Sequence, residues 1–146
     1  MKASVKQMVE AYAILGKAKV TKLEEEEIGK ILDARKAMRP VDAEYKSFEE
    51  DAHEKFKVEG LEDAEKTRQE VIAKFKEDNT YKPTESEIEA INKVNDYFVK
   101  VTNAKAKELE REVELKIESL KKESYSKLMK ENGLSVEEIE IIQSIM

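Results

Sequence analysis

The chain has 146 residues, of which 41% are charged and 40% are hydrophobic, and its net charge is −6. With only four glycines and two prolines, this composition is typical of long solvated helices and disfavours sandwich and α/β folds. The absence of cysteine excludes disulfides, thiol catalysis and thiolate metal sites, and the acidic balance disfavours direct nucleic-acid binding.

The N-terminal segment has apolar residues at helical spacing. Val5, Met8, Tyr12 and Leu15 predict a short amphipathic helix that ends near Gly16. Because polar residues interrupt this pattern throughout, we expect neither a signal peptide nor a membrane span, and therefore a protein of the bacterial cytoplasm.

A long helix is predicted from Lys22 to Phe56. Thr21 and Glu24 have the spacing of a capping box at its start, and Pro40 predicts a kink without a break. Its apolar stripe alternates steps of three and four residues: Ile31, Ala34, Met38, Val41, Tyr45, Phe48 and Ala52. Such heptad spacing indicates pairing with another helix, either of this chain or of a second copy.

The middle of the chain predicts a helix from Leu61 to Lys76, followed by the polar loop EDNTYKPTES. The chain reverses either at Gly60 or at Asn79–Pro83. Thr84 and Glu87 then form a second capping-box pattern before another long helix. The face of that helix comprises Ile88, Ile91, Val94, Phe98, Val101 and Ala104.

The C-terminal third is ambiguous where Val113, Leu115 and Ile117 alternate with charged residues. We expect a short strand or a bent segment at Val113–Ile117, with a helix as the alternative. Gly133 then predicts a helix stop, and Ser135 with Glu138 predicts a capped final helix that docks on the N-terminal helix.

The predicted fold class is mainly α, an elongated antiparallel helical hairpin or coiled coil with a small terminal subdomain. We expect a single domain over residues 1–146. Within it, residues 22–109 form the hairpin, and residues 1–21 with 110–146 form the terminal subdomain.

The residues that could support catalysis or metal binding are few. Glu50 and His53 form the ExxH pair of di-iron bundles, but the chain has one histidine and such a site needs a second pair. The acidic run Glu24–Glu27 is expected to complement the helix dipole. We expect no catalytic, cofactor-binding or metal-binding residues, and we predict that the protein is not an enzyme.

Candidate interaction residues are Tyr81, Ile142, Ile145 and Met146. Tyr81 lies in the predicted loop and is outside the heptad pattern, whereas the other three belong to a short final helix that needs cover. The remaining aromatic residues are expected to fill the seam between helices. Long apolar stripes favour a protein partner or a homo-oligomer.

Three segments, ILGKAKVTKLEEEEIGKIL, REVELKIESL and GLSVEEIEIIQSIM, carry a resemblance. Their order resembles that of a family of small uncharacterised proteins of tailed phages and prophages. The resemblance implies a phage protein concerned with virion assembly and associated with the virion, and it favours the strand at Val113–Ile117.

We therefore expect a non-enzymatic phage protein that acts through protein–protein contacts. The first alternative is an inhibitor of a host defence or nucleic-acid enzyme, with an acidic surface that occupies a basic cleft. The second is a helical-bundle metal protein centred on Glu50 and His53.

Overall fold

The computed structural model describes residues 1–146 and contains six α-helices and one two-stranded sheet. In chain order the elements are β1 (Lys2–Ser4), α1 (Val5–Lys17), α2 (Glu25–Phe56), α3 (Leu61–Glu77), α4 (Glu85–Glu110), β2 (Glu112–Glu114), α5 (Lys122–Asn132) and α6 (Val136–Ile145). The mainly helical fold class is confirmed.

The small sheet pairs the two ends of the sequence. β1 and β2 are antiparallel, and Ala3 lies opposite Val113. The strand expected near Val113–Ile117 is thus present, although it covers only Glu112–Glu114. The sequence pattern did not predict β1, because three residues are too few to establish an alternating pattern.

The residues divide into two compact units. The terminal unit comprises residues 1–47 and 107–146, and the central unit comprises residues 48–106. These bounds differ from the predicted hairpin at 22–109, since the first five residues of the α2 stripe join the core of the terminal unit: Ile31, Ala34, Met38, Val41 and Tyr45. Both α2 and α4 contribute residues to both units.

The core of the terminal unit is built where α6 packs on α1, as predicted. Met8 of α1, Met38 of α2, Leu128 of α5 and Ile142 of α6 are completely buried there. Each side chain of this size contributes about 2 kcal/mol by leaving water. Four helices with local sequence patterns therefore share one apolar core.

Two of the three predicted capping boxes form. Ser135 and Glu138 form a reciprocal capping box at α6, and Thr84 and Glu87 form one at α4. The third prediction is wrong, because the Thr21 hydroxyl donates to the Glu131 carboxylate and α2 begins only at Glu25. Through Pro40, α2 continues unbroken.

The central unit contains the end of α2, α3 and most of α4. Lys105 Nζ lies 2.9 Å from Glu49 Oε2, and His53 Nδ1 lies 2.6 Å from the Tyr97 hydroxyl. Residue numbers thus rise along α2 as they fall along α4, so the two helices run antiparallel. The predicted helical hairpin is confirmed, with α3 as an additional helix between its two arms in the sequence.

Candidate interaction surface

The core of the central unit consists of small side chains. Ala52, Ala64, Val71, Val94 and Val101 are at most 5% exposed. Val94 and Val101 are seven residues apart, as are Ala64 and Val71, so each pair lies on one side of its helix. Small residues let the helices approach closely but leave little room for larger side chains between them.

Several large apolar side chains of this unit consequently lie towards solvent. Phe75 is 41% exposed, Ile88 is 46%, Phe98 is 45% and Val99 is 56%. The prediction that Ile88 and Phe98 lie in the seam with Val94 is therefore wrong, since the buried line of α4 passes through Val94 and Val101. The prediction for the aromatic residues fails at Phe75 and Phe98 for the same reason.

One side of α4 carries no charged residue over four turns. Successive residues turn by about 100° around a helix axis, so seven residues share about one third of the circumference. We call them the uncharged face of α4: Ile88, Ile91, Asn92, Asn95, Phe98, Val99 and Thr102. All except the half-buried Ile91 are exposed.

The charges of the same turns lie elsewhere on α4, at Glu89, Lys93, Asp96 and Lys100. In a chain with 41% charged residues, a continuous neutral face of this length is unusual. Protein interfaces are depleted of charge at their centres and enriched in aromatic residues, as this face is. In the sequence, the uncharged face corresponds to positions at helical spacing that carry no charge. The heptad pattern was used to predict buried residues, so it did not identify this face.

Two polar contacts, one with α2 and one with the segment after it, fall on a different side of α4. Tyr97 approaches His53, and Lys93 Nζ donates to the Glu59 carbonyl at 3.4 Å. Neither Tyr97 nor Lys93 belongs to the uncharged face. The end of α2 nevertheless lies beside the middle of that face, since Phe56 lines one hollow with Asn92, Asn95 and Val99, but these three residues remain exposed.

A shallow groove of about 350 Å³ adjoins the uncharged face, between α3 and α4. Leu61 and Phe98 form its apolar walls, Val94 lies in it, and Glu62 and Glu65 belong to its rim. A broader hollow of about 790 Å³ adjoins the same face, because Asn95 and Val99 line it together with charged side chains such as Glu89 and Lys100. The smaller groove is the more apolar of the two, and it extends the contact surface that Phe98 offers.

Tyr81 lies in a hydrogen-bond network at the connection between α3 and α4. Its hydroxyl donates to Glu87 Oε1 at 2.6 Å, and Lys74 Nζ donates to Glu87 Oε2 at 3.2 Å. The Tyr81 ring is half-buried and meets Phe75 edge to face, with 5.9 Å between centroids. Tyr81, predicted as a contact residue for a partner, thus uses its hydroxyl for a contact within the chain.

The same network keeps Glu87 ionised. The main-chain N–H of Thr84 and the Tyr81 hydroxyl donate to the carboxylate, and together with Lys74 they lower the pKa of Glu87 from 4.5 to about 2, although burial opposes them. Each of these donors stabilises the charged form. The role of Glu87 is therefore to fix the start of α4.

Ile142, Ile145 and Met146 are buried, at 0%, 3% and 5% exposure. Their prediction as an interaction surface is wrong, because α6 places them in the core of the terminal unit against α1. These apolar side chains, which suggested contact with a partner, instead pack within this chain.

Glu50 and His53, the centre of the alternative metal-protein hypothesis, are not part of a ligand cluster. His53 and Glu50 are exposed on α2, and a ring nitrogen of His53 contacts Tyr97. Nowhere in the chain do three or more histidine or acidic side chains gather with a geometry that could hold a metal ion. Among the acidic residues Glu24–Glu27, Glu27 is 1% exposed and bonds to α5, beyond its predicted effect on the helix dipole.

The negative charge is concentrated in the central unit. Residues 48–106 contain fifteen acidic and ten basic side chains, a balance of −5, whereas the terminal unit has eighteen and seventeen, a balance of −1. Charge and exposed apolar area thus occur in the same unit. Any partner of that unit meets a neutral face within an acidic surrounding.

Comparison of the chain with protein-family models, curated proteins and solved structures gives no match. None of its helices combines the length and the apolar character needed to cross a bilayer.

Proposed function

We propose that this chain is a non-enzymatic protein that binds another protein chain through the uncharged face of α4 and the adjoining groove. The observation that supports the proposal is the exposure of Ile88, Phe98 and Val99 on one neutral side of a helix. Large apolar side chains gathered on one face are unfavourable in water, and burial against a partner relieves this cost. A helix-to-helix contact is the mode that the spacing of this face favours.

The segment order that resembles phage and prophage proteins supports a role in virion assembly within the bacterial cytoplasm. Assembly proteins act by contact, and this role needs no catalytic group. The proposal therefore joins two independent arguments, one from the sequence pattern and one from the exposed face.

Site-specific photo-crosslinking tests the proposal. The photoreactive amino acid benzoylphenylalanine replaces Phe98 in the full chain, and in a control it replaces Leu32, which is 62% exposed on α2 in the terminal unit. Both proteins are irradiated in a lysate of the source cells, native or infected. We expect a discrete adduct, with this chain or with another protein, from position 98 and none from position 32.

An absence of adducts at position 98, or equal adducts at both positions, would contradict the proposal. Circular dichroism of both proteins checks that the helices are intact. Mass spectrometry of the adduct identifies the partner.

A second candidate function is an inhibitor that occupies a basic cleft of a host defence or nucleic-acid enzyme. The charge of −5 on the central unit favours it. Such binding weakens steeply with salt, whereas contact through the uncharged face is nearly independent of salt. Measuring the crosslink yield from low to high salt distinguishes the two functions.

A further inference from the structure

We infer that the partner on the uncharged face of α4 is a second copy of this chain, with the two α4 helices antiparallel and Asn95 at the two-fold axis. This inference rests on the proposed function and specifies its partner. It concerns only the central unit, where every residue of the face lies.

The first argument is the spacing within the face. Ile88, Ile91, Asn95, Phe98 and Thr102 alternate steps of three and four, which is the pattern of a coiled-coil seam. At about 1.5 Å per residue this seam is about 21 Å long. The pattern therefore fits a straight helix laid along α4.

The second argument is the amide at the centre of the seam. An asparagine between apolar layers favours a partner that presents another amide at the same level, and such a residue specifies register at some cost in stability. A two-fold axis beside Asn95 brings the same side chain from the second copy. A second copy of the chain can therefore supply the amide partner for Asn95.

The third argument is electrostatic. Two central units, each with a charge of −5, repel each other wherever charged surfaces meet. The uncharged face is the part of α4 where contact brings no like charges together. The seven residues of the face itself carry no carboxylate that would attract a strongly basic partner, and carboxylates such as Glu62 and Glu89 lie only beside it.

The direction of the helices follows from the charges along α4. Within the central unit, Glu85 and Glu89 lie towards the N-terminal end of α4, whereas Lys100 and Lys105 lie towards its C-terminal part. Antiparallel pairing brings the acidic end of one α4 near the basic end of the other, while parallel pairing brings like ends together. The antiparallel arrangement is therefore favoured.

A contact of this length belongs to the small class of interfaces, so we expect a dissociation constant of about 10 to 100 µM. Sedimentation equilibrium of the purified full chain over that concentration range measures it. We expect Asn95→Asp, which places two carboxylates at the axis, to raise the dissociation constant at least about tenfold. The matched control Asn79→Asp makes the same change in the loop before α4 and should leave it unchanged.

Cysteine crosslinking tests the geometry, because the natural chain contains no cysteine. Asn95→Cys should form a disulfide-linked dimer under mild oxidation, since the two sulfurs meet at the axis. Ile88→Cys should not, because antiparallel helices keep the two copies of residue 88 about 21 Å apart. Both variants change exposed side chains, and circular dichroism checks their folding.

Each result decides one point. A crosslinked dimer from both cysteine variants would overturn the antiparallel arrangement, since parallel helices align every position with itself. A monomer at all concentrations with no crosslink from either would overturn the second copy as partner. The proposed function would still stand if position 98 formed its photo-adduct with a different protein, so the two failures are distinguishable.

Discussion

Lys121 donates its main-chain N–H to Glu27 Oε1 at 2.7 Å, which connects the start of α5 to the first turn of α2. Lys121 is the N-cap residue of α5, but its side chain has no oxygen that could accept a hydrogen bond and cap the helix. Glu27, from a distant part of the chain, supplies an acceptor instead. Glu27 also accepts the Ser124 hydroxyl at 2.9 Å. Burial raises the pKa of Glu27, but the bonds from Lys121, Lys30 and Ser124 outweigh it and lower the pKa below its ordinary value.

Glu27→Ala is expected to reduce the free energy of unfolding of the terminal unit by about 3 kcal/mol, because it leaves a part-buried N–H and a buried hydroxyl without acceptors. Urea unfolding followed by circular dichroism measures the loss. The control Glu26→Ala changes the exposed neighbouring carboxylate and should stay within about 0.5 kcal/mol of the natural chain. Equal losses for the two variants would show that Glu27 does not cap α5.

Acid should destabilise the central unit through Glu87. Its pKa is lowered to about 2 in the folded chain, so the folded state favours the charged carboxylate. The stability that it contributes is complete above about pH 4.5 and is lost as the pH falls towards 2. Urea midpoints measured between those pH values should therefore fall with pH in the natural chain.

Glu87→Gln should lower the urea midpoint of the central unit near neutral pH and flatten its dependence on acid, because the titrating group is gone. Glu89→Gln, an exposed position two residues further along α4, provides the control and should keep the natural profile. If Glu87→Gln retained the full acid dependence, other carboxylates would have to cause it.

The sequence predicted helix caps correctly where the capping residues are neighbours in the chain. The capping boxes at Thr84 and Ser135 depend on residues three positions away, and both formed as expected. The failure at Thr21 has a long-range cause, since Glu131 captures its hydroxyl from 110 positions away. No pattern within a short window contains that information.

Burial of whole helix faces was harder to predict. Ile142 and Phe98 are both apolar residues in heptad-like patterns, yet Ile142 is buried and Phe98 is 45% exposed. The difference depends on which helix happens to lie beside each face, and the sequence pattern specifies only that a face is apolar. The sequence pattern therefore suggested α6 as an interaction surface, whereas the structure buries α6 and exposes large apolar residues on α4.

Ile142→Ala tests this assignment directly. Because Ile142 is completely buried between α6 and the other helices of the terminal core, we expect a loss of about 3 kcal/mol in the free energy of unfolding. Val136→Ala at the start of the same helix removes an apolar side chain that is 61% exposed and should cost less than about 0.5 kcal/mol. A small loss of unfolding free energy for Ile142→Ala would indicate that Ile142 is exposed, as the sequence pattern suggested.

Two glycines should respond to alanine in opposite directions. Gly29 lies within α2, and a Cβ there meets nothing within 4 Å, so Gly29→Ala should stabilise the chain by about 1 kcal/mol through lower backbone entropy in the unfolded state. Gly133 ends α5 with φ of +59°, where alanine is strained, so Gly133→Ala should destabilise the chain by about 1 kcal/mol. Thermal unfolding of both variants beside the natural chain measures the two shifts. A gain at Gly133 would mean that α5 can end without the left-handed residue, and a loss at Gly29 would mean that a methyl group disturbs the first turns of α2.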